Sequence, residues 1–371
     1  VGSISLATLV SRVLGLVRDQ VQSFYFGAGA VTDAYLAAFR IPNLLRDLFA
    51  EGALSSALVP TFTAEMEQRG EDAAWRLAGR VISALLVILG TLTVLIVLFA
   101  PWILGVYAAG FPPQKMALAT SMTRIMSPFL LFVALAAVAM GALNARGKFF
   151  LPALAPAWFN VVAIAGVVVL FPVLRSAGLN TGLALACAAT FGGLVQFLAQ
   201  IPALRGAGFR FRFDLRLRDP VLRRVGRLMV PATFGLAATQ INILVDTVIA
   251  SFLGDAPITW LYLAFRLMQF PIGLFGVAIA TANLAYVSRD AARGDMVALR
   301  GNLAGSLRLA ALLTLPATAG LIALRVPIVR VLFEHGEFTA VSTTNTAAAV
   351  LCYALGLYAY SITKIQVPTF Y

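Results

Sequence analysis

The chain has 371 residues, 60% of them hydrophobic and 12% charged, with a formal net charge of +12 and a mean hydropathy of +0.90. Those proportions exclude a soluble globule and describe an all-α, polytopic membrane protein. His335 is the single histidine, and Cys187 and Cys352 lie far apart in apolar surroundings, so no metal-ligand cluster, disulfide framework or catalytic constellation is present in the pattern.

Apolar runs of about 20 residues between polar or Gly/Pro breaks predict the membrane spans. They cover 4–26, 33–61, 80–104, 120–143, 151–173, 180–203, 229–253, 258–286, 304–324 and 345–367. The start at Val1 lacks a basic leader and reads as lightly truncated, not as a signal peptide.

The first span carries Arg12, Arg18 and Asp19; Arg12 and Asp19 are seven residues apart and share a helix face, with Arg18 beside them. The second carries Asp33, Arg40, Asp47 and Glu51, whose spacing projects all four from one face, and Arg46 beside Asp47. Each ionisable group at membrane depth costs roughly 2.5–3.5 kcal/mol on insertion scales, so a charged stripe of this kind faces a bundle interior or a wet cavity. Asp33 follows a Gly-Ala-Gly-Ala turn and also fits a helix start stabilised by the macrodipole. Pro42 and Pro271 bend their spans, as static kinks or as hinges.

The connections orient the bundle. After even-numbered spans come Arg69, Arg76, Arg80, Arg146, Lys148, Arg289, Arg293, Arg300 and Arg308, and the 204–228 connection adds Arg205, Arg210, Arg212, Arg216, Arg218, Arg223, Arg224 and Arg227. After odd-numbered spans come only Lys115, Arg124, Arg175, Arg325 and Arg330. The positive-inside rule then predicts a cytoplasmic N-terminus and accounts for the net charge without a nucleic acid partner. In the long connection, GFRFRFDLRLRD alternates apolar and basic residues; it reads either as a solvated topogenic loop or as a segment lying along anionic headgroups.

A shift of 226 residues superposes Ala38, Phe39 and Arg40 on Ala264, Phe265 and Arg266, and Leu48 and Phe49 on Leu274 and Phe275. A shift of 227 pairs Asp19 with Asp246, Gly27 with Gly254 and Phe111 with Phe338. The expectation is two parallel six-span repeats forming a V-shaped transporter, with an N-lobe at 1–225 and a C-lobe at 226–371. The second copy stops after its fourth span, which reads as truncation at Tyr371 or a chain continuing beyond it. The copies differ in charge: Arg46, Asp47 and Glu51 correspond to Ile272, Gly273 and Val277, and only Arg40 keeps a partner, Arg266. An arginine-lined interior suits an anion, and guanidinium forks bind phosphate oxygens in bidentate geometry.

SRVLGLVRD at 11–19, the segment 32–60, FRLMQFPIGLFGVA at 265–278, LFEHGEFT at 332–339 and VPTFY at 367–371 resemble the MurJ/MviN family of the multidrug/oligosaccharidyl-lipid/polysaccharide exporter superfamily. The resemblance implies two six-span lobes followed by two further spans in the bacterial cytoplasmic (inner) membrane. It implies a flippase for lipid II, the undecaprenyl-pyrophosphate-linked peptidoglycan precursor, working among membrane lipids and beside the cell-wall synthesis machinery. By position, Arg12, Arg18, Arg46 and Arg266 would bind the pyrophosphate, with Arg40 where many members have a basic residue. Asp33 and Glu51 would gate or couple, Asp47 joins them as an acid that the second copy lacks, and Asp246 would contribute to a cation site, with Na+ as one candidate. No cofactor is implied; a membrane potential or a monovalent cation gradient would drive transport. Phe265 and Gln269 depart from the family pattern, which often has acids there. The alternatives are a flippase for another lipid-linked oligosaccharide, a drug/cation antiporter of the same superfamily, and a non-transporting membrane scaffold.

Overall fold

The computed structural model describes residues 2–46, 54–216 and 218–367. Among the described residues there is no strand; the chain is a succession of helices joined by short turns. In order these are α1 (Gly2–Phe26), α2 (Ala30–Arg46), α3 (Leu54–Arg69), α4 (Glu71–Tyr107), α5 (Pro113–Met126), α6 (Phe129–Ala145), α7 (Phe150–Ser176) and α8 (Leu183–Leu198). There follow α9 (Ile201–Gly206), α10 (Pro220–Ser251), α11 (Pro257–Pro271), a π-helical turn (Ile272–Gly276), α12 (Val277–Ala292), α13 (Met296–Phe333), α14 (Ala340–Leu355) and α15 (Leu357–Gln366).

Among the described residues the predicted spans fall mostly on helix, with 47–53 of the second span outside the described residues, and the breaks have local causes. Gly27 closes α1 with a φ of 61°, and the Thr32 hydroxyl donates to its carbonyl at 2.8 Å, which fixes the turn into α2. Gly70, at φ 82°, is the whole connection between α3 and α4. Proline opens α5, α10 and α11 at positions where its missing N–H costs nothing. At Pro271 the α-helical ladder gives way to the π turn, since proline cannot donate back; Pro42, by contrast, stays inside a helix that runs on to Arg46.

Six helical stretches among the described residues are long and apolar enough to cross a membrane: 71–107, 113–145, 150–176, 183–206, 257–292 and 296–333. The bent pair α14 and α15, at 43°, would make a seventh. Fourth in the predicted order, the 120–143 span is two helices, broken at Ser127–Pro128.

The described chain forms two compact units, Val1–Asp255 and Ala256–Tyr371. The division follows α10, which packs on α3 and α4, whereas the lobe boundary drawn from the repeat lies inside that helix. Lipid tails offer no hydrophobic gain for helix association, so contact depends on close fit. In the first unit Gly192 and Gly193 of α8 admit the rings of Phe159 and Phe129, which would stand 2.8 and 2.6 Å from an added Cβ. Phe39, Phe129 and Phe159 continue as an aromatic row between α2, α6 and α7. The second unit has smaller cores, Met268, Ile272 and Leu357 in one and Ile279, Ala310 and Ile365 in the other.

Candidate functional site

Within the first unit, α1 brings Arg18 and Asp19 together although they are adjacent in sequence. The Arg18 guanidinium donates to Asp19 Oδ1 from Nη2 at 2.7 Å and from Nε at 3.2 Å, and its carbon stands 5.5 Å from the Phe159 ring centre. Asp19 is buried and Arg18 half-buried, so the pair is shielded from water and the charge-assisted bond is strong. Arg12, one face away along the same helix, is exposed. Asn160 of α7 donates to the Ser11 carbonyl at 3.1 Å and ties α1 to α7 just before Arg12.

The second constellation lies at the start of α2. Asp33 is fully buried, and Lys115 of α5 donates from Nζ to Asp33 Oδ2 at 3.0 Å, to Asp255 Oδ1 at 3.0 Å and to the Gly254 carbonyl at 3.2 Å. The ammonium thus uses its three donors, and it also sits 4.2 Å from the centre of the Phe111 ring. The turn between α4 and α5 presses on the end of α10: the Gly110 N–H donates to Ser251 Oγ at 3.2 Å, and a Cβ at Gly110 would lie 2.4 Å from the Ser251 carbonyl oxygen. Asp255 is largely exposed and adds little, but Asp33 and Lys115 are both buried, and removing one of a buried pair typically costs about 3–5 kcal/mol.

The remaining predicted residues are distributed as follows. Arg40 and Arg46 of α2 are half-buried, with Arg40 two turns from Asp33 on the same face. Asp47 and Glu51 lie outside the described residues. Asp246 of α10 is half-buried in the first unit, and Arg266 of α11 is half-buried in the second, five residues before Pro271. Phe265 meets Tyr353 edge-to-face with ring centres 5.6 Å apart, an aromatic contact where the family pattern often has an acid, and Gln269 is exposed. Among the described residues no group of His, Cys, Asp and Glu could hold a metal ion, and both cysteines are free.

Residues 23–371 match the family model described as "Lipid II flippase MurJ". The chain belongs to the MurJ family. It is 38% identical to the lipid II flippase MurJ of Burkholderia cenocepacia over all of this chain and 72% of that protein, and 38% identical to a probable lipid II flippase MurJ of Vibrio cholerae over 99% of this chain and 71% of that one. A solved structure of a lipid II flippase MurJ in an inward closed conformation is similar with a TM-score of 0.83 and 31% identity, covering 99% of this chain and 75% of the other. A multidrug resistance transporter of the MATE family in an inward-facing conformation shares the fold alone, with a TM-score of 0.73 at 14% identity, 97% of this chain and 83% of the other.

For this MurJ family member, sequence reasoning counted Asp19 among the charges but assigned it no role, and it read Lys115 only as a loop charge. Lys115 could have been suspected from the chain's preference for arginine: a lysine three residues after Pro112, in an otherwise uncharged turn, offers a compact head that fits between two carboxylates and a carbonyl.

Proposed function

We propose that this chain carries lipid II from the inner to the outer leaflet of the bacterial cytoplasmic membrane. The family match over residues 23–371, with 38% identity to a named lipid II flippase, is the observation that carries this reading. The work is transport and not catalysis; no covalent bond is made or broken.

The inferred architecture is ten spans arranged as parallel repeats, with the N-terminus cytoplasmic. Matching elements support it: α4 and α13 have 37 and 38 residues, α5–α6 and α14–α15 are each two helices joined at a short break, and Gly27 and Gly254 both adopt positive φ. Also, α11 packs on α14 as α2 packs on α5.

The mechanism that fits is alternating access, in which two lobes rock about a site between them. Arg12, Arg18, Arg40 and Arg46 from the first lobe and Arg266 from the second would neutralise the pyrophosphate while the polyprenyl tail stays in lipid. Asp19 holds the Arg18 guanidinium, so that side chain is oriented before the substrate arrives. Asp33, tied to Lys115, would keep one end of the first lobe assembled, and Asp47 and Glu51 would re-pair with basic groups when the substrate leaves. The membrane potential, at about 2.3 kcal/mol per charge per 100 mV, would suffice to give direction; Asp246 is the candidate for coupling to a monovalent cation such as Na+.

The test is leaflet exchange of lipid II in cells depleted of their own flippase. The full-length protein should restore it. Loss of one charge-assisted contact costs about 1.5–3 kcal/mol, so Arg18→Ala and Arg266→Ala should each lower exchange by about 10-fold to 100-fold, and together abolish it. Rescue by the double variant would refute the arginine cavity.

A further inference from the structure

The connection from α9 to α10 is not a loose loop. Its backbone lies along one face of α4 at four-residue steps: the Phe209 ring stands 5.4 Å from the Trp75 ring, a Cβ at Gly79 would touch the Arg212 carbonyl at 3.4 Å, and the Asp214 N–H donates to Ser83 Oγ at 3.0 Å. Arg80, between these contacts, clamps the segment by donating from Nε to Asp214 at 2.9 Å and from Nη1 to Asp219 at 2.6 Å. Asp219 meanwhile caps α10 with its other oxygen, accepting from the Val221 and Leu222 N–H groups.

The clamp sorts the charges of this segment. Its two acids are turned onto α4, while Arg210, Arg212 and Arg218 stay exposed with no acidic partner among the described residues, beside exposed Phe211, Phe213 and Leu215. Arg223 and Arg224 stand in the first turns of α10, where the positive end of the helix disfavours cations. The level of the segment is also defined. The charges of α4 end at Arg80, and from Val81 onward the helix is uncharged to Tyr107, so Asp214 sits where the helix passes from polar surroundings to hydrocarbon.

We infer that residues 209–216 together with Arg218 form an interfacial docking surface for anionic phospholipid headgroups, with Phe211, Phe213 and Leu215 entering the acyl boundary and Arg210, Arg212 and Arg218 contacting phosphates. Charge complementarity selects this occupant: an exposed arginine-rich segment whose acids are paired on α4, with exposed apolar residues alternating with the cations in sequence, is matched by a negative bilayer surface. Each arginine near such a surface contributes about fivefold in partitioning.

The test uses the full-length protein with Cys187 and Cys352 changed to serine and a nitroxide on Leu215→Cys, in nanodiscs of phosphatidylcholine alone or of phosphatidylcholine and phosphatidylglycerol in equal parts. Collision with oxygen relative to a water-soluble nickel chelate should rise several-fold in the anionic discs. High salt should reduce that difference, and Arg210→Gln/Arg212→Gln/Arg218→Gln should abolish it with the melting temperature unchanged. Equal, water-like accessibility in both discs would overturn the proposal, as would a difference insensitive to salt, or immobilisation of the label by a soluble polyanion such as RNA and not by anionic lipid.

Discussion

The two compact units use the same helix-on-helix contact with different chemistry in it. Where α2 meets α5 in the first unit, Asp33 and Lys115 form a buried ion pair. The shifts of 226 and 227 residues carry these positions to Thr259 on α11 and Ser342 on α14, both buried and both uncharged. Phe111 and Phe338, which also correspond, are buried in both units. On the repeat reading proposed above, the scaffold does not require the charge, and the ion pair is an addition peculiar to the first unit. A buried pair is seldom better for stability than an uncharged one of similar size, which argues that the charge is kept for what it does.

Exchanging the chemistry is the strongest way to break this comparison. Lys115→Ser alone leaves the Asp33 carboxylate buried without its ammonium and should destabilise the protein by about 3–5 kcal/mol. Asp33→Thr/Lys115→Ser, which copies the second unit, should recover most of that loss while reducing lipid II exchange. Thermal unfolding in nanodiscs measures the first effect and a leaflet-exchange assay the second. A double variant as unstable as the single one would show that the ion pair itself is a structural requirement.

This contrast also shows what was legible beforehand. Apolar periodicity reached each of the six described stretches that are long and apolar enough to cross a membrane, because that signal is set by the bilayer and not by tertiary contacts. It missed the first turns of α4, where Glu71–Gly79 is amphipathic and packs Trp75 and Ala78 inward, and it ran through the break at Ser127–Pro128. Asp33 and Arg40, seven residues apart, were visible as one face, and both stand on the single helix that the spacing implied, Asp33 buried and Arg40 partly buried. The role of Lys115 was not visible, since its partners Asp33 and Asp255 are 82 and 140 residues away in sequence. Helical spacing reports neighbours on one element; ion pairs between elements leave no such trace.

A smaller effect separates two glycines in the corresponding turns. Gly110 is needed for space, because its Cβ would lie 2.4 Å from backbone oxygen, whereas Gly336 is needed for conformation, with a φ of 60°. Gly110→Ala should cost about 1–3 kcal/mol by overpacking, and Gly336→Ala about 1–2 kcal/mol by backbone strain. Asparagine distinguishes the causes, since it tolerates positive φ: Gly336→Asn should retain most of the stability and Gly110→Asn should be no better than alanine. Melting temperatures of the four variants decide this, and a reversed order would remove the distinction between the two turns.

The smallest expected effect concerns the clamp on α4, which has an acid–base character that the uncharged Thr259 and Ser342 positions lack. The hydrogen bond from Arg80, with the charges of Arg216 and Arg80 beside it, holds the Asp214 carboxyl below its ordinary value. A carboxylate with a lowered folded-state pKa stabilises the fold above its unfolded pKa of about 3.9 and loses that contribution as the pH falls through the folded-state value. The segment at 209–218 should therefore stay on α4 at neutral and mildly acidic pH, then detach below the normal carboxylate range. Nitroxide mobility at Leu215→Cys should rise in that acidic window. With Asp214→Asn the transition should lose amplitude, because the neutral amide keeps a weaker bond to Arg80 and has no proton to gain; an unchanged acid transition would refute its assignment to Asp214.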